Sequence, residues 1–258
     1  MHNCGDPSST HPPILNIAAY KFTPLTNLPA LRDDLRARAA YHGILGTVLL
    51  APEGVNLFLA AAVDSTSAFL AHLRTLAGLE DLVTKDSYSD TQPFTRLRVR
   101  LKREIISFRQ PAISPSRRTS PRLSPEQLKQ WLDERRPVVL LDTRNDYETE
   151  HGTFKGALTL PLDDFVNLPK HLGVLPAPGE GTPIVTFCTG GIRCEKAAPY
   201  LESLGYRNVF QLDGGILNYF EKVGGYHYDG ACWVFDARIA LTPDLRSVQP
   251  PPAILQPP

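Results

Sequence analysis

No stretch of this sequence approaches the roughly 20 consecutive apolar residues that a membrane-spanning helix requires. The first 13 residues lack both the cationic start and the apolar stretch of a secretion signal, so a cytoplasmic location without membrane contact is expected. Cysteine is scarce. Only Cys4, Cys188, Cys194 and Cys232 occur in 258 residues, too few for a disulfide scaffold and without the paired spacing of metal ligands. None of the seven histidines has a metal-ligand partner in the sequence. Reduced thiols are therefore expected, with no bound metal or cofactor, and a cysteine that stands out is there for its chemistry. An excess of either charge is also lacking: 27 Lys and Arg balance 27 Asp and Glu. This excludes a globally basic nucleic-acid binder, and any RNA contact must come from local clustering.

What is present reads as two domains, each long enough to bury its own core. Residues 1–13 are expected to be disordered. Residues 14–110 switch between strand-like and helix-like patterns: strand 14–22, helix 28–42 with Leu31 and Leu35 on one face, strand 46–50, a tight connection at 52–56, strand 57–60, helix 65–76, then strands 82–88 and 97–108. The order βαββαβ plus an added strand predicts a ferredoxin-like α+β domain. Residues 111–123 carry prolines and few apolar groups and read as a linker.

A second block spans 124–229. Ser124, Pro125 and Gln127 form a capping-box start for a helix to about residue 134. Three short apolar runs, 138–142, 183–188 and 208–212, have the character of buried parallel strands with chemistry at their C-terminal ends. Helices follow the second run, ending at Gly205, and the third, after Asp213-Gly-Gly215. The block is predicted to be an α/β domain with a parallel sheet. A strand within 230–242 is expected to pack on the body, and the Pro-rich tail 243–258 to be disordered.

The chemistry centres on Cys188-Thr-Gly-Gly-Ile-Arg193. A cysteine at the end of a buried strand, followed by Thr189, Gly190, Gly191 and Ile192 and then a helix, lies under the backbone N–H groups of the turn, which stabilise an anion. Gly190 and Gly191 permit positive φ, and Arg193 adds a permanent cation. Together they predict a thiol pKa below the ordinary value of about 8.5. The alternative, a cysteine buried merely as an apolar residue, requires neither the glycines nor the arginine.

Phe187-Cys-Thr-Gly-Gly-Ile-Arg-Cys-Glu-Lys-Ala197 resembles the signature of rhodanese-domain tRNA uridine hydroxylases. Asp142-Thr-Arg-Asn-Asp-Tyr-Glu148, Gly152-Thr-Phe-Lys-Gly-Ala157, Gln211-Leu-Asp-Gly-Gly-Ile216 and Trp233-Val-Phe-Asp-Ala-Arg238 resemble the same family. So do Tyr20-Lys-Phe22, Gly46-Thr-Val-Leu-Leu-Ala-Pro-Glu-Gly-Val-Asn56 and the segment from Arg98 to Ile106, so that the resemblance runs from about Asn16 to Ala240. Leu57 departs from it, standing where similar proteins often have glycine. The resemblance implies a rhodanese-like second domain whose Cys188 supports oxygen-dependent 5-hydroxylation of the wobble uridine. The implied partner is tRNA at its anticodon region, and molecular oxygen is the co-substrate. Nothing in the loop chemistry alone points to hydroxylation, and the loop by itself suggests the alternative, a persulfide sulfurtransferase. Arg193 lies five positions after Cys188, one fewer than in cysteine phosphatases, which favours a sulfur-sized cradle over a phosphate-sized one. A third alternative is a non-catalytic RNA-binding protein.

Other residues divide by environment. Cys194 is a candidate resolving thiol for Cys188, or else a packed helix residue. Cys232 is expected in the core and Cys4 to be incidental. Asp142 and Arg144 are expected to brace the loop, Glu195 and Lys196 to be solvated, Asp213 to form a turn, and His151 to occupy a surface turn. Arg96, Arg98, Arg100 and Lys102 alternate with apolar residues, which puts four cations on one strand face as a candidate RNA-binding stripe. Arg117, Arg118 and Arg122 are placed to extend it. The loop 53–56 is expected to face nucleic acid or the other domain.

Overall fold

The computed structural model describes residues 14–177 and 181–248; the segment 1–13 and the end of the tail, 249–258, lie outside it. The first domain is built from β1 (Ile14–Phe22), α1 (Leu28–Tyr41), β2 (Leu45–Ala51), β3 (Gly54–Ala62), α2 (Val63–Leu73), β4 (Thr84–Ser89) and β5 (Leu97–Leu101). Its sheet has the order β4-β1-β3-β2-β5. β3 lies antiparallel between β1 and β2, β1 lies antiparallel between β3 and β4, and β5 adds in parallel to β2. This is the expected pair of interlocked split βαβ units with an added strand.

Period-two alternation divides the sheet. Leu15, Ile17 and Ala19 of β1 join Val48, Leu50, Val55, Leu57 and Leu59 in one core against Leu35 and Ala39 of α1 and Phe69, Leu70 and Leu73 of α2. Leu57 is fully buried there, where a leucine side chain contributes about 1.5–3 kcal/mol that a glycine would forgo. Asn16, Ala18 and Tyr20 of β1, with Asn56 and Phe58 of β3, line a cleft instead.

The second domain comprises β6 (Arg122–Leu123), α3 (Pro125–Asp133), β7 (Val139–Asp142), α4 (Asp146–Thr149), β8 (Gly152–Phe154), β9 (Ile184–Phe187), α5 (Cys194–Ser203), β10 (Val209–Leu212), α6 (Gly215–Val223), β11 (Tyr228–Gly230), β12 (Cys232–Trp233) and β13 (Ala240–Leu241). Its sheet is parallel, in the order β6-β10-β9-β7. Alternate strand residues serve opposite layers. Leu140, Val185, Phe187 and Leu212 pack with α3 and α6, whereas Leu141, Ile184 and Val209 pack with Ala197, Ala198 and Leu201 of α5. Ser124 caps α3 with the predicted capping box.

Four expectations are corrected. The strand anticipated over 97–108 stops at Leu101, because Phe108 leaves the first sheet to stack on Phe165 and meet Tyr200 edge-on in the second domain's core, at ring distances of 4.9 and 5.3 Å. The linker 111–123 is not a free tether: Ser120 is buried and Arg122–Leu123 pairs with β10. The strand within 230–242 is instead a hairpin of β12 and β13 closed by residues 234–239. The first part of the expected disordered tail is ordered, with Leu245 packed on the core and Thr242 bonded to Arg246.

Asp142 and Arg144 form the expected brace. Both side chains are fully buried, joined by bonds of 2.6 and 2.9 Å. Arg144 also donates to the Gly152 carbonyl at 2.7 Å, and Thr153 donates to Asp142 at 2.7 Å. Arg144→Met leaves a buried carboxylate without its cation and is expected to cost about 3–5 kcal/mol, read as a lower urea midpoint.

Candidate active site

β9 ends at Phe187, and Cys188 begins the loop into α5. The loop's orientation is set from behind by α6, whose first N–H groups bond the loop carbonyls: Ile216 to Cys188 at 2.9 Å and Leu217 to Thr189 at 3.0 Å. With the carbonyls turned out, amides turn in, and the Gly191 N–H points at the Cys188 sulfur at 3.2 Å. Two glycines make this possible. Gly191 has φ 97°, in the region that favours glycine. A Cβ on Gly215 would lie 2.4 Å from the Cys188 carbonyl oxygen. Gly190 was expected to share the positive φ but is not among the positive-φ residues.

Cys188 is 1% exposed. Burial alone would raise its pKa, yet a hydrogen bond from the Cys194 thiol, the Arg193 charge and the N–H groups of Arg193 and Gly191 outweigh it and bring the thiol down to about 6. The sulfur is a thiolate at neutral pH. Cys194 shifts the other way: burial and the charge on Cys188 push its pKa well up, so that it remains a protonated donor. Cys232 is core, as expected, with burial raising its thiol to about 12.

Arg193 acts on Cys188 through charge and backbone. Its guanidinium makes a two-pronged pair with Glu148 at 2.6 and 3.1 Å. Glu148 also accepts from the Asn145 N–H at 3.1 Å and from the Thr189 hydroxyl at 3.4 Å. Glu148 was not singled out in the sequence, although Asn145-x-x-Glu148 is a capping-box pattern and caps α4.

The loop opens into a cleft of about 520 Å³ between the domains. Cys188, Thr189, Gly190, Ile192 and Arg193 form its floor; Tyr20, Asn56, Lys85 and Lys102 come from the first domain; Phe235 and Arg238 come from the hairpin loop. Phe235 is 41% exposed, rests 5.7 Å from the Arg193 guanidinium and packs on Phe58 at 5.5 Å.

Glu195 and Lys196, expected to be solvated, are buried at 3% and 1% exposure. Lys196 donates across the domain boundary to Glu53 at 2.9 Å, Glu104 at 2.8 Å and the Ile106 carbonyl at 3.0 Å. Glu195 bonds Tyr20 at 3.1 Å, Arg122 at 2.7 Å and Gln211 at 3.2 Å. The loop 53–56 thus faces the other domain. Of the four stripe cations on and beside β5 only Lys102 lines the cleft; Arg96 and Arg100 are exposed and Arg98 is half-buried. Arg118 and Arg122 do not extend that stripe, being paired with Glu202 and with Glu195 and Asp213. His151 is exposed, as a surface turn requires, with its ring against Trp233.

Residues 14–105 match the family model of the UPF0176 acylphosphatase like domain, and residues 124–222 that of the Rhodanese-like domain. The chain is 52% identical over 237 residues to the tRNA uridine(34) hydroxylase of Variovorax paradoxus, covering 90% of each protein. It is 50% identical over 239 residues to the protein of that name from Bordetella petrii, covering 91% of this chain and 95% of the relative. The chain belongs to the tRNA uridine(34) hydroxylase family. A rhodanese-like domain protein of Staphylococcus aureus matches 39% of this chain and 91% of its own, at 28% identity and a TM-score of 0.34. In this member of the hydroxylase family the fold is the expected pairing of a ferredoxin-like, acylphosphatase-like domain with a rhodanese-like one.

The thiolate carries a direct readout. The rate of Cys188 alkylation by iodoacetamide, followed by peptide mass spectrometry, is expected to rise with pH through a midpoint of about 6. Cys194→Ala removes a donor to the sulfur and is expected to move that midpoint upward.

Proposed function

We propose that this protein hydroxylates C5 of uridine 34, the wobble position in the anticodon loop of tRNA, with Cys188 as the nucleophile and molecular oxygen as co-substrate. The observation that carries this reading is a thiolate on the floor of a cleft of about 520 Å³, a size in the range that encloses a small organic ligand, in a chain of this family. A base extruded from a loop reaches such a site without breaking a duplex. The place of action is the cytoplasm.

Cys188 adds to C6 of the uracil, the C5–C6 π pair becomes a C4–C5 double bond, and the C4 carbonyl π pair moves onto its oxygen as an enolate. Oxygen bonds to C5 and takes up a proton to give a hydroperoxide. The Cys194 thiol, which lies against Cys188, takes the outer oxygen and becomes a sulfenic acid. Loss of the C5 proton and departure of Cys188 restore the double bond. Cys188 then displaces hydroxide from Cys194 to close a disulfide. The balance is uridine, dioxygen, one thiolate and one thiol to 5-hydroxyuridine, disulfide and hydroxide, with an external thiol resetting the pair. Thr189, Gly190, Gly191 and Ile192 form the cradle, and Arg193 holds the negative charge in place.

The stripe of Arg96, Arg98, Arg100 and Lys102 along and flanking the edge strand β5 supplies phosphate contacts leading to the cleft. Sulfur transfer would use the same Cys188 cradle but gives no role to a cleft of nucleoside dimensions.

Cys188→Ser is expected to yield no 5-hydroxyuridine in tRNA nucleosides from a strain otherwise unable to make it; normal levels would refute the proposal. One turnover without reductant is expected to leave two tryptic peptides joined through Cys188 and Cys194. Replacing Arg96, Arg100 and Lys102 by Ala is expected to weaken tRNA binding and flatten its log–log salt dependence by about 0.7–0.9 for each phosphate-bound cation removed.

A further inference from the structure

Lys85 enters the cleft from β4, on the domain opposite the cysteine. Its register partner is Ala18 of β1, and its Cδ lies 3.8 Å from where a Cβ on Gly190 would stand, so the side chain runs along the nucleophile loop. Its ammonium sits 5.1 Å from the centre of the Tyr20 ring. Among the described residues it has no ion-pair partner. The carboxylates whose fields reach it, Asp213 and Glu195, are both taken by Arg122, at 3.4 and 2.7 Å. The Arg122 cation, the Tyr20 ring and the Cys188 sulfur also face it. A cation left without a carboxylate beside a nucleophile is arranged for charge that arrives with the substrate and develops during reaction.

We propose that Lys85 is a catalytic residue, the cation that holds the C4 enolate oxygen of uracil when Cys188 adds to C6. The proposal rests on the addition chemistry above and names the group that receives its electrons. As the S–C6 bond forms, the π pair of C5–C6 becomes the C4–C5 double bond, and the carbonyl π pair comes to rest on the oxygen, against the Lys85 ammonium. Reversal returns the pair and expels the thiolate. Burial lowers the Lys85 pKa, which brings it closer to that of an enol and favours sharing its proton with the oxygen. The two domains thus supply the two halves of one step, nucleophile from one and electrophilic partner from the other.

Exchange at C5 isolates this step, since the enolate takes a solvent proton at C5 and reversal can release the original hydrogen. Full-length protein is mixed, without oxygen, with tRNA tritiated at C5 of the wobble uridine, and tritium in water is counted. Wild-type protein is expected to release tritium and Cys188→Ser to release none. At pH 8, well above the Cys188 midpoint of about 6, Lys85→Met is expected to slow release about 10²–10³-fold, the loss found for a missing oxyanion donor, with tRNA affinity and the Cys188 alkylation rate at that pH unchanged. Lys85→Arg, which keeps the charge, is expected to recover part of the rate. Release at the wild-type rate from Lys85→Met would overturn the proposal, as would a parallel loss of Cys188 alkylation, which would assign Lys85 to the thiolate instead of the substrate. No release from wild-type protein that still hydroxylates in air would overturn the addition step itself, and Lys85's part in it.

Discussion

Glu195 and Lys196, consecutive residues on the first turn of α5, hold the two domains together and so create the cleft. Removing an ammonium from water costs several kcal/mol, and Lys196 recovers that cost only because Glu53, Glu104 and the Ile106 carbonyl meet it from the other domain. Glu195 does the reverse, accepting from Tyr20 of the first domain and from Arg122 and Gln211 of the second. Separating the domains would take all three acceptors from Lys196 and the Tyr20 hydroxyl from Glu195. The clamp lies immediately after Cys194, so the helix that orients the thiol pair is also the helix that fixes the opposite wall.

The charge at Cys188 depends on α6 and on Glu148 of α4. Bonding the loop carbonyls from behind leaves the amides facing the sulfur, and Glu148 keeps Arg193 close without letting it swing into the cleft. The hairpin loop brings Phe235 and Arg238 to the rim, where Arg238 is held by Asp236 and reaches Ser87 of β4 at 2.7 Å. Three separate parts of the chain therefore converge on one cleft.

Local patterns made much of this legible in the sequence. Strand-like patterning gave the strands of the first sheet and short apolar runs gave three of the four in the second, Ser124 and Gln127 marked the start of α3, and a cysteine at the end of an apolar run followed by glycines and arginine located the thiolate. The short spacing of Asp142 and Arg144 made their pairing readable. Partners distant in sequence were not. Glu195 and Lys196 have the composition of a solvated helix turn, and only partners 73 to 175 positions away make them interior, Tyr20 and Arg122 for Glu195 and Glu53 and Glu104 for Lys196. Residues 102–123 read as strand and linker because Ile105 and Phe108 fit a strand pattern while spending their apolar surface on the interface and the second core. Glu148 was hidden by a second role, as the end of a helix cap.

A cleft clamped in this way has a set width. Opening it would mean breaking the Lys196 bonds next to the very helix that carries Cys194, so admission by a hinged jaw would disassemble the chemistry it was meant to serve. Selection must then fall on the visitor's reach: a nucleotide able to swing clear of its neighbours enters, and one held in a stacked duplex stays outside, whatever its base.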